Sequence, residues 1–234
     1  MIELKSFTKQ YGNKTVVKDV SFVCPDNKIT GLIGANGAGK TTIIKAVCGI
    51  HYPTEGTVLV NGLSVEDEPV KTKLNIGYVS ENATFPENYF VLEYLNECAY
   101  IRKTKKEQLS KVIEMFSLES VLQKKISTLS KGFRQRLSFA QAFIHEPSVL
   151  VLDEPITGLD PIQISEIRSI IKKAGKTKTV LLSTHFMQEA ETICDNIVFL
   201  HEGNKIAEGT AGELLKISGS TDLESAFIKL IKRN

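Results

Sequence analysis

Residues 34–41 read Gly-Ala-Asn-Gly-Ala-Gly-Lys-Thr, and no other stretch restricts the fold of this chain as strongly. The pattern Gly-x-x-x-x-Gly-Lys-Thr has a physical meaning only between a strand and a helix. Both neighbours are present. Residues 28–33 form a short apolar run of strand character, and 42–48 read as a helix that Gly49 is placed to cap. Glycines let backbone N–H groups wrap an anion without Cβ clashes. The helix start adds unpaired N–H groups and a positive dipole end. Asn36, Gly37, Ala38, Gly39, Lys40, Thr41 and Thr42 are therefore read as a phosphate cradle. In it, Lys40 reaches the outer phosphates and Thr41 sets its hydroxyl on Mg²⁺. A glycine-rich turn with an exposed lysine is the bland alternative, and it leaves the agreement of motif and flanking elements unexplained.

A second feature completes such a site. Residues 149–152 are continuously apolar and end in Asp153-Glu154-Pro155. A buried strand delivers carboxylates at its C-terminal edge, where ligands bind in open α/β sheets. Asp153 is expected to hold Mg²⁺, directly or through water, and Glu154 to polarise a water for attack on the terminal phosphate. The other reading is a strand that simply ends in a polar turn. His185 follows another apolar strand at 179–183, with Thr184 beside it, and fits a sensor of the terminal phosphate. A lone histidine is more often a satisfied core or surface residue, and His51, His145 and His201 stay in that class.

Around these motifs the chain alternates. Strands are expected at 1–7 and 16–23, with a turn at Gly12-Asn13, and at 57–60, ended by the hairpin signal Asn61-Gly62. A further strand is expected at 76–79. From about 90 to 143 the spacing turns helical: Val91, Leu92 and Leu95, then Leu109, Val112, Ile113 and Phe116, then a shorter segment of the same kind at 118–126. Ser130 is a natural N-cap for a helix whose stripe is Phe133, Leu137, Ala140 and Ile144, and Pro161 sits where another helix starts. The spacing predicts strands at 148–152, 179–183 and 197–200, a hairpin strand at 205–208, a helix at 187–194 and an amphipathic tail at 223–231. Alternating strands and helices argue an α/β core with a mostly parallel sheet.

Bulk properties exclude more than they assert. Net charge is +2, too weak to argue for nucleic acid, and no nucleic-acid partner is expected. No apolar run approaches the length needed to span a bilayer, and no export leader is read, so a cytoplasmic chain is expected. Cys24, Cys48, Cys98 and Cys194 are too scattered for a zinc or disulfide pattern and read as reduced thiols.

Together these residues resemble the ATP-binding subunit of an ABC transporter, over essentially the full chain. Residues 129–135, Leu-Ser-Lys-Gly-Phe-Arg-Gln, carry this most specifically. They resemble the family's Leu-Ser-Gly-Gly-Gln signature, with a variation at Lys131 and Phe133 common in its exporter branches. Gly158-Leu159-Asp160-Pro161 resembles the family's D-loop, and Thr184-His185 its switch histidine. Tyr11 stands where the family places an aromatic that stacks on adenine; composition alone reads it as a hairpin aromatic packing locally. Glu81 stands where the family usually has a glutamine that touches Mg²⁺ and the attacking water and links the site to the transmembrane partner. Glutamate can also ligate Mg²⁺, and the bland reading is a solvent-facing side chain.

The resemblance implies the ABC ATPase fold: a P-loop NTPase core with a mostly parallel sheet, an antiparallel β subdomain and an inserted helical subdomain. It is expected as one domain over 1–234. The β subdomain and phosphate-loop part of the core would occupy 1–89, the helical subdomain 90–143 and the rest of the core 144–234. It implies ATP and Mg²⁺ as cofactors, with Thr41, Glu81 and Asp153 toward the metal. It also implies catalysis by Lys40, Glu154 and His185, with Ser130, Gly132 and Asp160 acting across a dimer interface. The expected partners are a second nucleotide-binding subunit, with a homodimer allowed, and an integral membrane permease at whose cytoplasmic face the chain sits. The expected work is Mg-dependent ATP hydrolysis powering transport, of the export kind. An importer subunit satisfies the same chemistry. A soluble ABC-type ATPase acting on DNA or the ribosome usually carries a coiled-coil insertion or a second ATPase copy, and neither is read here. A non-catalytic regulatory module has no use for intact Lys40, Asp153, Glu154 and His185. The cargo is chosen largely by the permease.

Overall fold

The computed structural model describes residues 1–233. In chain order the first elements are β1 (Ile2–Tyr11), β2 (Lys14–Cys24), β3 (Ile29–Ile33), α1 (Lys40–Val47), β4 (Glu55–Val60), β5 (Leu63–Ser64), α2 (Pro69–Asn75) and β6 (Ile76–Val79). A helical stretch follows with α3 (Val91–Ile101), α4 (Lys106–Met115) and α5 (Lys131–Phe143). The chain then runs through β7 (Val149–Asp153), α6 (Pro161–Gly175), β8 (Thr179–Thr184), α7 (Met187–Ile193), β9 (Asn196–His201), β10 (Asn204–Gly209), α8 (Ala211–Ser218) and α9 (Leu223–Ile231).

Two sheets result. The smaller is antiparallel, in the order β2-β1-β4-β5. Its last hairpin turns at Asn61-Gly62, where both residues have positive φ (51° and 77°), as the tight turn requires. The larger runs β10-β9-β3-β8-β7-β6, parallel except for β10 at one edge. Every residue of β3, β7 and β8 is buried, which explains their unbroken apolar runs: a parallel strand in mid-sheet is covered on both faces.

Period-two alternation sends those side chains into two cores. Val149, Val151 and Leu181 pack with Ile43, Ile44 and Val47 of α1 and with the antiparallel sheet. Leu150, Leu152, Val180 and Leu182 pack on the other face with Phe139 of α5 and Ile167 and Ile171 of α6. Phe116, Phe139 and Phe143 form an aromatic cluster there, with ring centroids 5.3–6.4 Å apart. Each fully buried ring of this kind contributes up to about 3 kcal/mol. A third core seats Leu214 of α8 and Phe227 and Leu230 of α9 against Ile197 and Phe199 of β9. All four cysteines are free.

The helix expected at 42–48 begins at Lys40, because Gly39, at φ 101°, is its N-cap. Segment 118–126 is not a helix like α3 and α4: it turns through short 3₁₀ pieces at Glu119–Val121 and Ile126–Thr128. Helices α2 and α8 have no counterpart among the expected elements.

Asp160 caps α6, its Oδ1 accepting the N–H groups of Ile162 and Gln163 at 3.0 Å each, with Pro161 in the first turn. Asp160→Ala should cost about 1 kcal/mol. Calorimetry of the chain without nucleotide should show this as a thermal midpoint lowered by about 2–4 °C. An unchanged midpoint would rule out the cap as a contributor.

Candidate active site

The strands β3, β8, β7 and β6 are neighbours and parallel, so their C-terminal ends share one edge. Register pairs Ile33 with Thr184, Asp153 with Ser183, and Val79 with Leu152. The chain therefore leaves the sheet at Gly34, His185, Glu154 and just before Glu81 side by side. Residues far apart in sequence meet because of this register. A cavity of about 420 Å³ at this edge is lined by residues 36–42 together with Glu81, Glu154 and His185.

Glu154 is the centre of the arrangement. It is 7% exposed and sits at φ 48°, a left-handed conformation that a non-glycine residue adopts only when its surroundings impose it. Here β8 imposes it: the Glu154 N–H donates to the Ser183 carbonyl at 3.2 Å and to Ser183 Oγ at 3.0 Å. The turn swings the carboxylate back over the cavity. Oε1 lies 3.4 Å from Lys40 Nζ, and Oε2 lies 2.9 Å from His185 Nδ1. Thr157 Oγ1 donates to Oε2 at 3.4 Å. Lys40, 6% exposed, also donates to the carbonyls of Gly34 (2.8 Å) and Ala35 (3.3 Å).

Asp153 lies deeper, 2% exposed. Burial pushes its carboxyl up from the ordinary carboxylate value, opposed by hydrogen bonds from Ser183 and Thr41. Ser183 Oγ donates to Asp153 Oδ1 at 2.6 Å, and Thr41 Oγ1 reaches the same oxygen at 3.4 Å. Ser183 thus braces both carboxylates. It was not singled out in the sequence, and nothing there marks it beyond its place at the end of an apolar strand. Thr157 and Val16, which also line the cavity, were missed for the same reason.

These residues fit phosphates and a hard cation. A Cβ at Gly39 would lie 2.8 Å from Val17 Cγ2, so only glycine keeps the cradle's shape. The facing oxygens of Thr41 and Asp153 are the donor type that Mg²⁺ takes. Among the described residues no group of three or more His, Cys, Asp or Glu is placed to hold a metal. Glu81, exposed, lines the same cavity.

The remaining candidates lie elsewhere. Tyr11 is 49% exposed and outside the cavity lining; its ring meets His51 edge-on at 5.9 Å, and Lys9 Nζ sits 5.3 Å from its centroid. Ser130 is exposed and caps α5, its Oγ accepting the Phe133 N–H at 3.4 Å. Gly132 is buried against α6: an added Cβ would lie 2.4 Å from Gln163 Nε2. Gln135 of α5 donates to the Pro155 carbonyl at 2.7 Å, next to Glu154. Ser130 and Asp160 thus stand at two exposed helix starts, away from the chain's own cavity.

Known proteins resemble this chain over most of its length. Residues 17–157 match the family model described as "ABC transporter". The bacitracin transport ATP-binding protein BcrA of Enterococcus faecalis is 40% identical over 219 residues, which cover 92% of this chain and 71% of that protein. A solved ATP-binding subunit of an ABC transporter is 30% identical, with a TM-score of 0.92 and 99% of both chains covered. A dimeric bacterial ABC transporter cassette is 25% identical, with a TM-score of 0.83 over 90% of this chain and 98% of its own.

Proposed function

The chain belongs to the ABC transporter family as an ATP-binding subunit, and from that premise we propose that it hydrolyses ATP as half of a two-fold dimer and so powers transport, of the export kind, through a separate membrane permease. The observation that carries the reading is the Glu154 carboxylate, buried between Lys40 and His185 at the rim of the phosphate cradle.

Lys40 and the N–H groups at the start of α1 bind the phosphates. Phosphate oxygens in the cradle compete with Glu154 for the Lys40 ammonium. Losing that ion pair leaves Glu154 free to take a proton from a water aimed at the terminal phosphate. His185, held on the opposite carboxylate oxygen, fixes the direction in which Glu154 points. Mg²⁺, held by Thr41 and Asp153 with Glu81 at the rim, would supply charge neutralisation for the phosphates. Ser130 and the N–H groups around Gly132 would close over the nucleotide of the partner subunit, and Tyr11 would stack on adenine. A two-fold pair gives two such sites, and the relative that is a dimeric cassette supports this assembly.

Among the described residues no helix is long and apolar enough to cross a membrane. A groove lined by Ile50 and by Ile101 of α3, 56% and 67% exposed, supports a docking site on the helical side. The export direction rests on resemblance alone, in the form of the 129–135 segment and of the tail Leu223-Glu224-Ser225-Ala226-Phe227.

The purified chain should release phosphate from ATP only with Mg²⁺ present, and should co-purify with a hydrophobic integral membrane chain. Release without Mg²⁺, or no release at all, would end the reading. Glu81→Gln should keep turnover within about tenfold, a barrier change of about 1.4 kcal/mol. Complete loss in that variant would mean the glutamate itself is required.

A further inference from the structure

Behind His185 lies a buried carboxylate with incomplete bonding. Glu189, on α7, has no exposed surface. Its Oε2 accepts the Thr184 hydroxyl at 2.8 Å, while Oε1, equally enclosed, has no hydrogen-bond partner. Burial pushes the Glu189 carboxyl up to about 7, opposed by the Thr184 hydrogen bond and by the Arg168 guanidinium of α6. Arg168 Nε is also buried without a partner. A half-satisfied acid inside a protein is costly, and an apolar side chain of similar volume would pack there at lower cost. Packing alone therefore gives no reason for a glutamate at this position.

The one bond that Glu189 makes has a particular location. Thr184 Oγ1 also accepts the backbone N–H of Phe186 at 3.1 Å. A hydroxyl has one proton to give and two lone pairs to offer. By accepting that proton, Glu189 turns the lone pairs toward Phe186. One side chain then ties together the residues on either side of His185. The imidazole between them is delivered with Nδ1 2.9 Å from Glu154 Oε2. The geometry points to Glu189 as a positioning residue: through Thr184 it clamps the backbone around His185 and holds the imidazole on the Glu154 carboxylate. This inference rests on the ATPase reading above.

The test uses the full chain and two readouts: steady-state Mg-ATP turnover, and the His185 imidazole resonance in nucleotide-free protein, assigned by its disappearance in His185→Asn. Glu189→Ala should lower kcat about tenfold or more while the KM for ATP moves less than about twofold, since only the hold on His185 is lost. The His185 resonance should shift or broaden. Glu189→Gln keeps an acceptor of the same size for Thr184 and should stay within about threefold of the parent on kcat. If Glu189→Ala does not fold, Thr184→Val, which lacks the hydroxyl, should show the same loss, and Thr184→Ser should restore it. Unchanged kcat with an unmoved resonance in the Ala variant would overturn the inference. An equal loss in the Ala and Gln variants would overturn it too. If the parent chain turns over no ATP, the ATPase reading fails, and the resonance still decides whether Glu189 holds His185.

Discussion

Glutamine in place of Glu154 should reduce ATP hydrolysis by about a thousandfold and at the same time hold the chain as an ATP-loaded dimer. Both effects follow from the contacts of one carboxylate. Its Oε1 neutralises Lys40 at 3.4 Å, and its Oε2 meets His185 at 2.9 Å. An amide of the same size leaves the turn at φ 48° intact, because that turn is fixed by Ser183 and not by the side chain. It cannot accept a proton from water, so the chemical step stops. It also no longer holds the Lys40 charge, so the ammonium is more available to phosphate and nucleotide binding is kept or tightened. Size-exclusion chromatography with Mg-ATP should show the variant shifted to dimer, and phosphate release should be near background. A variant that stays monomeric under saturating Mg-ATP would remove the dimer from the scheme. One that still hydrolyses would remove Glu154 as the base.

The second large effect concerns Ser130. Its hydroxyl caps α5 on an exposed surface, outside the chain's own cavity. Aspartate caps a helix as well as serine does, so Ser130→Asp should keep the fold. In the proposed dimer it would, however, point a carboxylate at the terminal phosphate held by the partner subunit, and the repulsion of like charges should suppress turnover by about a hundredfold or more. Lys40→Ala should be inactive for a different reason: the cradle loses its only side-chain cation among the lining residues described. Mixing the two inactive proteins separates a shared pocket from a private one. In a mixed pair, one site joins an intact cradle to an intact Ser130 and the other carries both defects. With random pairing, about a quarter of parental turnover should return. No recovery in equal mixtures that do form dimers would mean that Ser130 serves its own nucleotide or none.

The fold was legible where the signal was local. Residues 34–41 and Asp153-Glu154 are contiguous, so strand, loop and ligand chemistry could be read together. The antiparallel hairpin at Asn61-Gly62 was legible for the same reason. What escaped was set by register. The ion pair of Lys40 with Glu154 and the bracing by Ser183 depend on β8 lying between β3 and β7, an order that no local pattern encodes. Helix α2 was missed because only Thr72 of its seven residues is buried, leaving no apolar stripe to detect. Helix α8 buries only Leu214 and Ser218, yet Thr210 and Glu213 form a capping box that a closer reading of 210–213 would have found. Tyr11 was legible as a hairpin aromatic, but its edge-on contact with His51, forty residues on, was not, because it depends on how the chain after α1 returns to the end of β1.

The contact of Gly132 with Gln163 and the bond from Gln135 to Pro155 join three segments of one subunit: the tip that Ser130 caps, the helix that Asp160 begins, and the bend carrying Glu154. In the proposed dimer, a tip pressed against a neighbour's nucleotide would be linked to its own Glu154 bend through these side-chain contacts, without crossing the sheet. In a symmetric pair each half would then feel its neighbour's fuel state directly, and the two strokes would be geared to one another.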